Sequence, residues 1–461
     1  MKSQERIIVS AIIAAFSVIA LSTFIHMPTT SIPLEIIGMK YSDIVYGVFL
    51  DIFSPENIDR PIKLNMRWYN STLFTLFITG QSKHCPLPYI DYFLEYPPVV
   101  ALIMLFSTCT SFNLVLPQEY DYITYSNLIM SIAQYHLALN ALTILIFTLL
   151  MITYLIKLIN LLSLHNRLNR VIIMLLLPSF IIYSVYNWDI IASSLFIMSL
   201  YYLCKKRLIV SSILIGLSIL TKLLPALFVV TFTLSIIFGN NYIIKSGKDL
   251  FKYISTSVLL ILTVVLPIHI ASPEVLSDFL MYHGRWYCEN CLYQILIRDL
   301  NDPLHRLLAL IFTSLIIIVS SLKIKVNSCM DLLRLALIST ITSTVLNYIF
   351  TPQMILLIGP LALVLLNRRE LILYVVADVA NTLMMILFFM DEELRRLVNM
   401  YLGMNLSTTF NPWSLDSPIQ WLAMARNILL LTLLIKLILN VRIRMERKSI
   451  NTITISDIRV R

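Results

Sequence analysis

The chain has 461 residues, of which 58% are hydrophobic and only 13% charged, with a mean hydropathy of +0.82. A soluble domain carries about 25% charged residues, so the composition excludes a soluble globular enzyme and predicts a polytopic membrane protein. The net charge of +9 would suggest nucleic acid in a soluble domain, but in a membrane chain basic residues first report orientation, and no nucleic-acid partner is expected.

The nine glycines form neither G-x-G-x-x-G nor G-x-x-x-x-G-K-[ST], which argues against a phosphate-cradling loop and a nucleotide-driven pump. A spanning helix needs about 20 apolar residues. The first such run, Ile7 to Met27, follows Lys2 and Arg6. It is read as a permanent first helix rather than a cleaved signal, because no small-residue cleavage site follows His26. Later runs lie near 98–116, 132–157, 171–187, 190–204, 208–222, 224–238, 253–271, 307–322, 332–349, 354–367, 371–390 and 420–440. The short ones are separated by polar pivots, Asn187-Trp188-Asp189 and Thr221-Lys222, and are expected to form tilted hairpins whose tips share one membrane face.

Charge asymmetry sorts the loops. Lys157/Arg167/Arg170, Lys205/Lys206/Arg207, Lys245/Lys248/Lys252, Lys323/Lys325, Arg368/Arg369 and the tail 441–461 are basic and are expected to be cytoplasmic. The remaining loops hold Asp43, Asp51, Glu56, Asp59, Asp91, Glu95, Asp189, Glu289, Asp299 and Asp391 to Glu393, and should face outside together with the sequons at Asn70 and Asn405. The apolar runs then give the wrong parity for a cytoplasmic tail. The helix after Pro98 is therefore expected to lie at the interface or re-enter. The expected fold is all-α, a polytopic transmembrane bundle of about 12–13 helices. One membrane domain covers 1–440, with 28–97 as a long first exterior loop carrying juxtamembrane helices, and both termini are cytoplasmic.

The six cysteines form no disulfide framework by spacing. Cys288 and Cys291 are the exception, expected to bridge locally or to receive Cys85. A zinc site needs four ligands, and only His283 joins them nearby. No metal site and no cofactor are expected, and no compact acidic set demands a divalent metal.

Six polar constellations punctuate the exterior side of this apolar chain, where ionisable groups are costly. They are Asp43-Ile44-Val45-Tyr46, the Pro88 to Pro98 segment with Asp91, Glu95 and Tyr96, Asn187-Trp188-Asp189, Thr221-Lys222-Leu223-Leu224-Pro225, His283 to Asn290, and Asn347 to Gln353. Each also has a plain structural reading. Asp43 could be a solvated loop acid, the tandem prolines a helix start, Lys222 a snorkelling lysine, and the His283 segment an amphipathic interfacial loop. Tyr92, Tyr96, Trp188, Trp286 and Tyr293 could stack on sugars or form an aromatic belt. Asp378, inside an apolar run, is expected to pair with Asn381 or Arg426.

In this order the boxes D-x-x-Y, E-Y-P-P, pivot Asp, T-K-x-x-P, H-x-R…E-N and P-Q resemble the GT-C superfamily of integral membrane glycosyltransferases. The likeness is greatest to polyprenyl-phosphate-mannose-dependent mannosyltransferases, and it covers about Asp43 to Pro360. The resemblance implies transfer of a sugar, mannose in that family, from a polyprenyl-phosphate donor to an acceptor hydroxyl with inversion. The exterior or lumenal face of a plasma membrane or endoplasmic reticulum would hold the site. It makes Asp43 the general base, with Arg285, Lys222 and His283 holding the donor phosphate. Tyr46, Asp91, Glu95, Tyr96, Asp189, Glu289, Asn290 and Gln353 would bind sugar or acceptor. Partners would be the lipid-linked donor, membrane lipids and a glycan, glycolipid or glycoprotein acceptor. The stretch between Asp43 and Pro88 is longer than the pattern, which leaves Asp51, Asp59 or Asp91 open to share the base role. The rival readings are a transporter or flippase of lipid-linked saccharides, and a noncatalytic assembly subunit. Against the former, no internal repeat is found and the acids gather at one face.

Overall fold

A computed structural model describes residues 2–30, 39–58, 69–239, 243–244 and 246–458. Among these every element is helical, and strand-like pairing is limited to isolated bridges. Each apolar run of the sequence becomes helix. Seven are long and apolar enough to cross a membrane: Gln4–His26, Pro98–Val115, Tyr122–Leu161, Gly247–Ala271, Leu304–Lys323, Arg368–Phe388 and Pro418–Leu439. Four shorter apolar helices, Asp189–Cys204, Leu208–Thr221, Ala226–Ile237 and Pro352–Leu365, pack among them. This is the architecture of an integral multi-pass membrane protein. Gly247–Ala271 shows why: only 6% of its apolar window is buried within the protein, so Val258, Leu259, Leu262 and Leu266 need an apolar surrounding.

The run near 171–187 divides into Arg170–Leu175 and Pro178–Tyr183. Pro178 lacks the N–H that would continue the first helix but suits the first turn of the second. Small residues let helices approach. Ser199 and Ser211 exchange hydroxyl bonds at 2.9–3.0 Å, Ser218 donates to the Ala192 carbonyl at 2.7 Å, and a Cβ on Gly216 would meet Leu260 at 2.9 Å.

The described part of the first long loop holds Asp43–Phe49, a π-helical turn, followed by Leu50–Phe53, Pro55–Ile58 and Ser71–Ile78. Its aromatic rings run along the Pro98–Val115 helix. Near the far end, Phe112 lies 5.3 Å from Phe53 and 4.8 Å from Phe77 between ring centroids. Cys109 of that helix is disulfide-bonded to Cys85 of the loop. The helix thus has the length to cross, and the first loop is tied to its last turns through Cys109 and Phe112. The Tyr122–Leu161 helix that follows has 40 residues, about 60 Å at 1.5 Å per residue, twice an about 30 Å hydrocarbon core.

All six cysteines are paired: Cys85–Cys109, Cys204–Cys329 and Cys288–Cys291. The expectation of no framework is corrected, and so is the alternative of a bridge from Cys85 to the Cys288/Cys291 pair. The local Cys288–Cys291 bridge is as expected, whereas the partners of the other two bridges are 24 and 125 residues apart, so spacing conceals them. Outside the first loop, two α-helices have no counterpart among the apolar runs, Glu274–Arg285 and Asp391–Leu402. Asp391, expected as a loop acid facing outside, is buried instead, bonding Arg395 at 2.8 Å and accepting from Asn411 N and Ser417 Oγ. Arg395 in turn holds the Ser407 and Asn411 carbonyls. The last helix, Pro418–Ile458, continues through the expected boundary at 441.

Candidate functional site

A cavity of about 810 Å³ opens where the polar segments converge. Its walls include Asp43, Tyr46, Glu95, Tyr96 and Lys222 from the first four constellations, and His283, Glu289, Asn290 and Gln353 from the last two. Segments spread over three hundred residues are therefore brought together. Asp91, Asp189 and Arg285, also expected there, do not line it. Asp91 accepts from Leu87 N at 2.7 Å and faces His84 at 3.7 Å, closing a local turn. Arg285 ends the Glu274–Arg285 helix with its side chain exposed. Asp189 lies behind Lys222. Asp51 lines the cavity, and Asp59 falls outside the described residues.

Asp43 begins its helical turn beneath Ser42, whose Oγ caps Val45 N at 3.3 Å. Three donors meet its Oδ2: Asn187 Nδ2 at 2.7 Å, Tyr96 Oη at 3.1 Å and Gln353 Nε2 at 3.3 Å. Among the described residues, Oδ1 has no hydrogen-bond partner. Burial pushes the carboxyl up to about 6, opposed by the Asn187 bond, the Lys222 charge and the Tyr96 bond, and assisted by Glu95.

Tyr96 is set by its neighbours. Tyr89, in the left-handed region at φ 68, donates its hydroxyl to the Tyr96 carbonyl, and Trp188 packs edge-on against the Tyr96 ring at 4.9 Å. Pro98 then starts the helix, so the prolines are the helix signal as well as neighbours of the site. Lys222 Nζ sits 2.6 and 2.8 Å from the two oxygens of Asp189. The Asp189 side chain is fully buried and that of Lys222 is 17% exposed, so the lysine presents a cation whose charge is matched from behind.

His283 Nε2 is 3.0 Å from the Glu95 carbonyl. Burial, with some help from the Lys222 charge, holds its imidazole below the ordinary value, so the ring is neutral at pH 7. Glu289 and Ile349 pair as a short bridge, with Glu289 N on the Tyr348 carbonyl at 3.1 Å and Phe350 N on the Glu289 carbonyl at 2.9 Å. This joins the His283–Asn290 segment to the Asn347–Gln353 segment.

Several residues escape a reading of the sequence. Asn187 is visible in the Asn-Trp-Asp pivot, where the acid is the more conspicuous group and the amide the one that reaches the site. Arg426 is a buried cation in an apolar span, which is itself a signal. It bonds Asn381 Oδ1 at 2.8 Å, the Phe350 carbonyl at 3.1 Å, the Asn290 carbonyl at 3.3 Å and Asn427 Oδ1 at 3.0 Å, and its guanidinium lies 3.6 Å from the Phe350 ring centroid. Asp378 does not pair with Arg426 or Asn381 as expected. Its carboxylate takes Ser179 N at 3.1 Å, because the Pro178 break frees that amide. The Met384, Met385, Phe388, Phe410 and Trp413 wall has no sequence signal apart from ordinary apolarity.

Cys288, Cys291 and His305 form the one compact set of potential metal ligands among the described residues. The histidine is His305, not His283. Both sulfurs are in a disulfide, and a disulfide sulfur is not the thiolate that zinc takes.

The arrangement pairs a carboxylate, fixed through one oxygen and open at the other, with a cation and an aromatic enclosure, a combination suited to taking a proton beside an anionic ligand. No protein-family model matches the chain, and no curated protein matches it in sequence.

Proposed function

We propose that the protein is an integral membrane glycosyltransferase of the GT-C type. It transfers a sugar, mannose by the resemblance of its boxes, from a polyprenyl-phosphate donor to an acceptor hydroxyl on the exterior or lumenal face. The observation that carries this reading is Asp43, with three donors on Oδ2 and Oδ1 unpartnered among the described residues, in the wall of the cavity.

In this reaction the acceptor oxygen attacks the anomeric carbon as the bond from that carbon to the phosphate oxygen breaks, and the hydroxyl proton passes to Asp43 Oδ1. Inversion follows from attack opposite the leaving group. The donors on Oδ2 hold the carboxylate in one orientation, so Oδ1 needs no rearrangement to receive the proton. The departing polyprenyl phosphate is already anionic and needs a positive neighbour more than a proton. Lys222 donates to Asp189 Oδ2 at 2.8 Å, and its ammonium has further N–H directions to offer a ligand. An apolar donor tail suits a site among membrane helices, and the absence of a nucleotide loop suits a lipid-linked donor. Acids collected around one cavity favour transfer over transport, which needs a path open alternately to both faces.

The test is a donor panel. Protein in nanodiscs should consume polyprenyl-phosphate mannose or another polyprenyl-phosphate sugar and ignore GDP-mannose and UDP-glucose. The opposite preference overturns the donor class.

A further inference from the structure

The loop between Cys288 and Cys291 is constrained from four sides. The two cysteines bridge each other. Asn290 between them has φ 52, a conformation a non-glycine residue keeps only when its surroundings enforce it. Its carbonyl accepts from Asn427 at 2.9 Å and Arg426 at 3.3 Å, and its Oδ1 from Gln420 at 2.8 Å. Glu289 is locked through its backbone to Tyr348 and Phe350. The result of this over-determination is a fixed Glu289 carboxyl in the cavity wall. Trp286 Nε1 donates to its Oε2 at 2.8 Å, and among the described residues Oε1 has no partner.

Charge balance decides what this carboxyl can do. Asp43, Asp51 and Glu95 also line the cavity, against Lys222, whose charge Asp189 already matches. A phosphate-bearing substrate adds negative charge to a space that has little positive charge to offer. A further carboxylate there would repel it, whereas a carboxylic acid would bind it through an O–H donor.

We propose that Glu289 works as a neutral acid, keeping its proton on Oε1 and donating it in a hydrogen bond to an oxygen of the bound donor substrate, while Asp43 works ionised. This rests on the glycosyltransferase reading above. Two carboxyls in one cavity with opposite protonation states divide the labour between accepting and donating. Burial pushes Glu289 up to about 7, the Trp286 bond opposes this, the Asp43 charge adds to it, and Arg426 opposes it. The other titratable groups acting on or beside it are the hydroxyls of Tyr41, Tyr186, Tyr287 and Tyr348 and the imidazole of His283. Burial raises these hydroxyls and lowers the imidazole from their ordinary values. The donor O–H is therefore present below about pH 7 and lost above it.

Two measurements test this. The first is the pH profile of kcat/KM with a polyprenyl-phosphate sugar for wild type, Glu289→Gln and Glu289→Ala. The amide of glutamine is a donor that does not titrate. E289Q should lose the alkaline limb seen in wild type and exceed wild type above pH 8, while E289A should fall at least about tenfold below E289Q throughout. E289Q no more active than E289A, or an unchanged alkaline limb in E289Q, overturns the proposal. The second needs no substrate. Tryptophan fluorescence titrated from pH 5 to 9 should show a transition near 7 that E289Q and Trp286→Phe both remove. Absence of that transition overturns the proposal even if transfer is active. A transition without transfer from any polyprenyl-phosphate sugar leaves the proton on Glu289 and removes the transferase reading instead.

Discussion

Asn187 and Asp43 are 144 residues apart in sequence and meet at 2.7 Å, the amide Nδ2 on carboxylate Oδ2, with the same amide 3.1 Å from the Tyr96 hydroxyl oxygen. Asn187 thereby ties the Asn187-Trp188-Asp189 pivot to the first long loop. The bond favours the ionised carboxylate and pulls Asp43 down against burial. Asn187→Ala removes it, so the Asp43 value rises. The acid limb of kcat/KM, set near 6 in wild type, should move to higher pH. An unmoved limb would mean that another group sets it.

Lys222 and Asp189 form a buried ion pair, so the two single substitutions are not equivalent to the double. Lys222→Met strands a fully buried carboxylate, at a cost of about 3–5 kcal/mol. Lys222→Met with Asp189→Asn should recover most of the lost thermal stability in detergent, and should not recover transfer. Equal stability of the single and double variants would show that the pair is uncoupled.

Arg426 joins Asn290, Phe350 and Asn381, and Asn381 in turn bonds the Pro352 carbonyl at 2.9 Å. Arg426→Ala takes the donor from the Phe350 carbonyl and Asn381 Oδ1, while the Asn290 carbonyl keeps Asn427, and should destabilise by about 3 kcal/mol. Arg426→Lys should restore little, since one ammonium cannot reproduce a planar fork stacked on Phe350. Thermal unfolding of the three proteins checks both statements.

Because no cysteine is free among the described residues, a single introduced cysteine gives a unique label. A Cβ added at Gly284 would meet nothing within 4 Å, and Arg368 is exposed. A membrane-impermeant maleimide added outside should label Gly284→Cys and spare Arg368→Cys until the membrane is permeabilised. The reverse pattern would invert the orientation assigned from loop charge.

The helical runs are legible because each needs only a local composition, although their ends are not: the 132–157 run extends to Tyr122–Leu161, the 171–187 run splits at Pro178 and the last helix runs on past 441. The gathering of Asp43, Tyr96, Lys222, Glu289 and Gln353 around one cavity is legible in part, since polar residues at pivot and loop positions of so apolar a chain have few other reasons to occur there. Which of them face the cavity is not. Asp91 and Glu95 are four residues apart, and only the turn closed by the Leu87 amide on Asp91 separates their roles. Arg285 lies two residues from His283, yet the helix end directs it outward. The supporting set of Gln420, Arg426 and Asn427 comes from the last helix, beyond the stretch carrying the resemblance. Its contacts with Asn290 span at least 130 residues, a separation that no local pattern encodes.

The central claim is that Asp43 takes the acceptor proton. Its most direct test is the initial rate of transfer from a polyprenyl-phosphate sugar by purified wild type and Asp43→Asn, with thermal unfolding of both measured alongside. The account predicts a rate lower by about 10²–10⁴-fold at closely similar stability. Wild-type turnover by Asp43→Asn would contradict it.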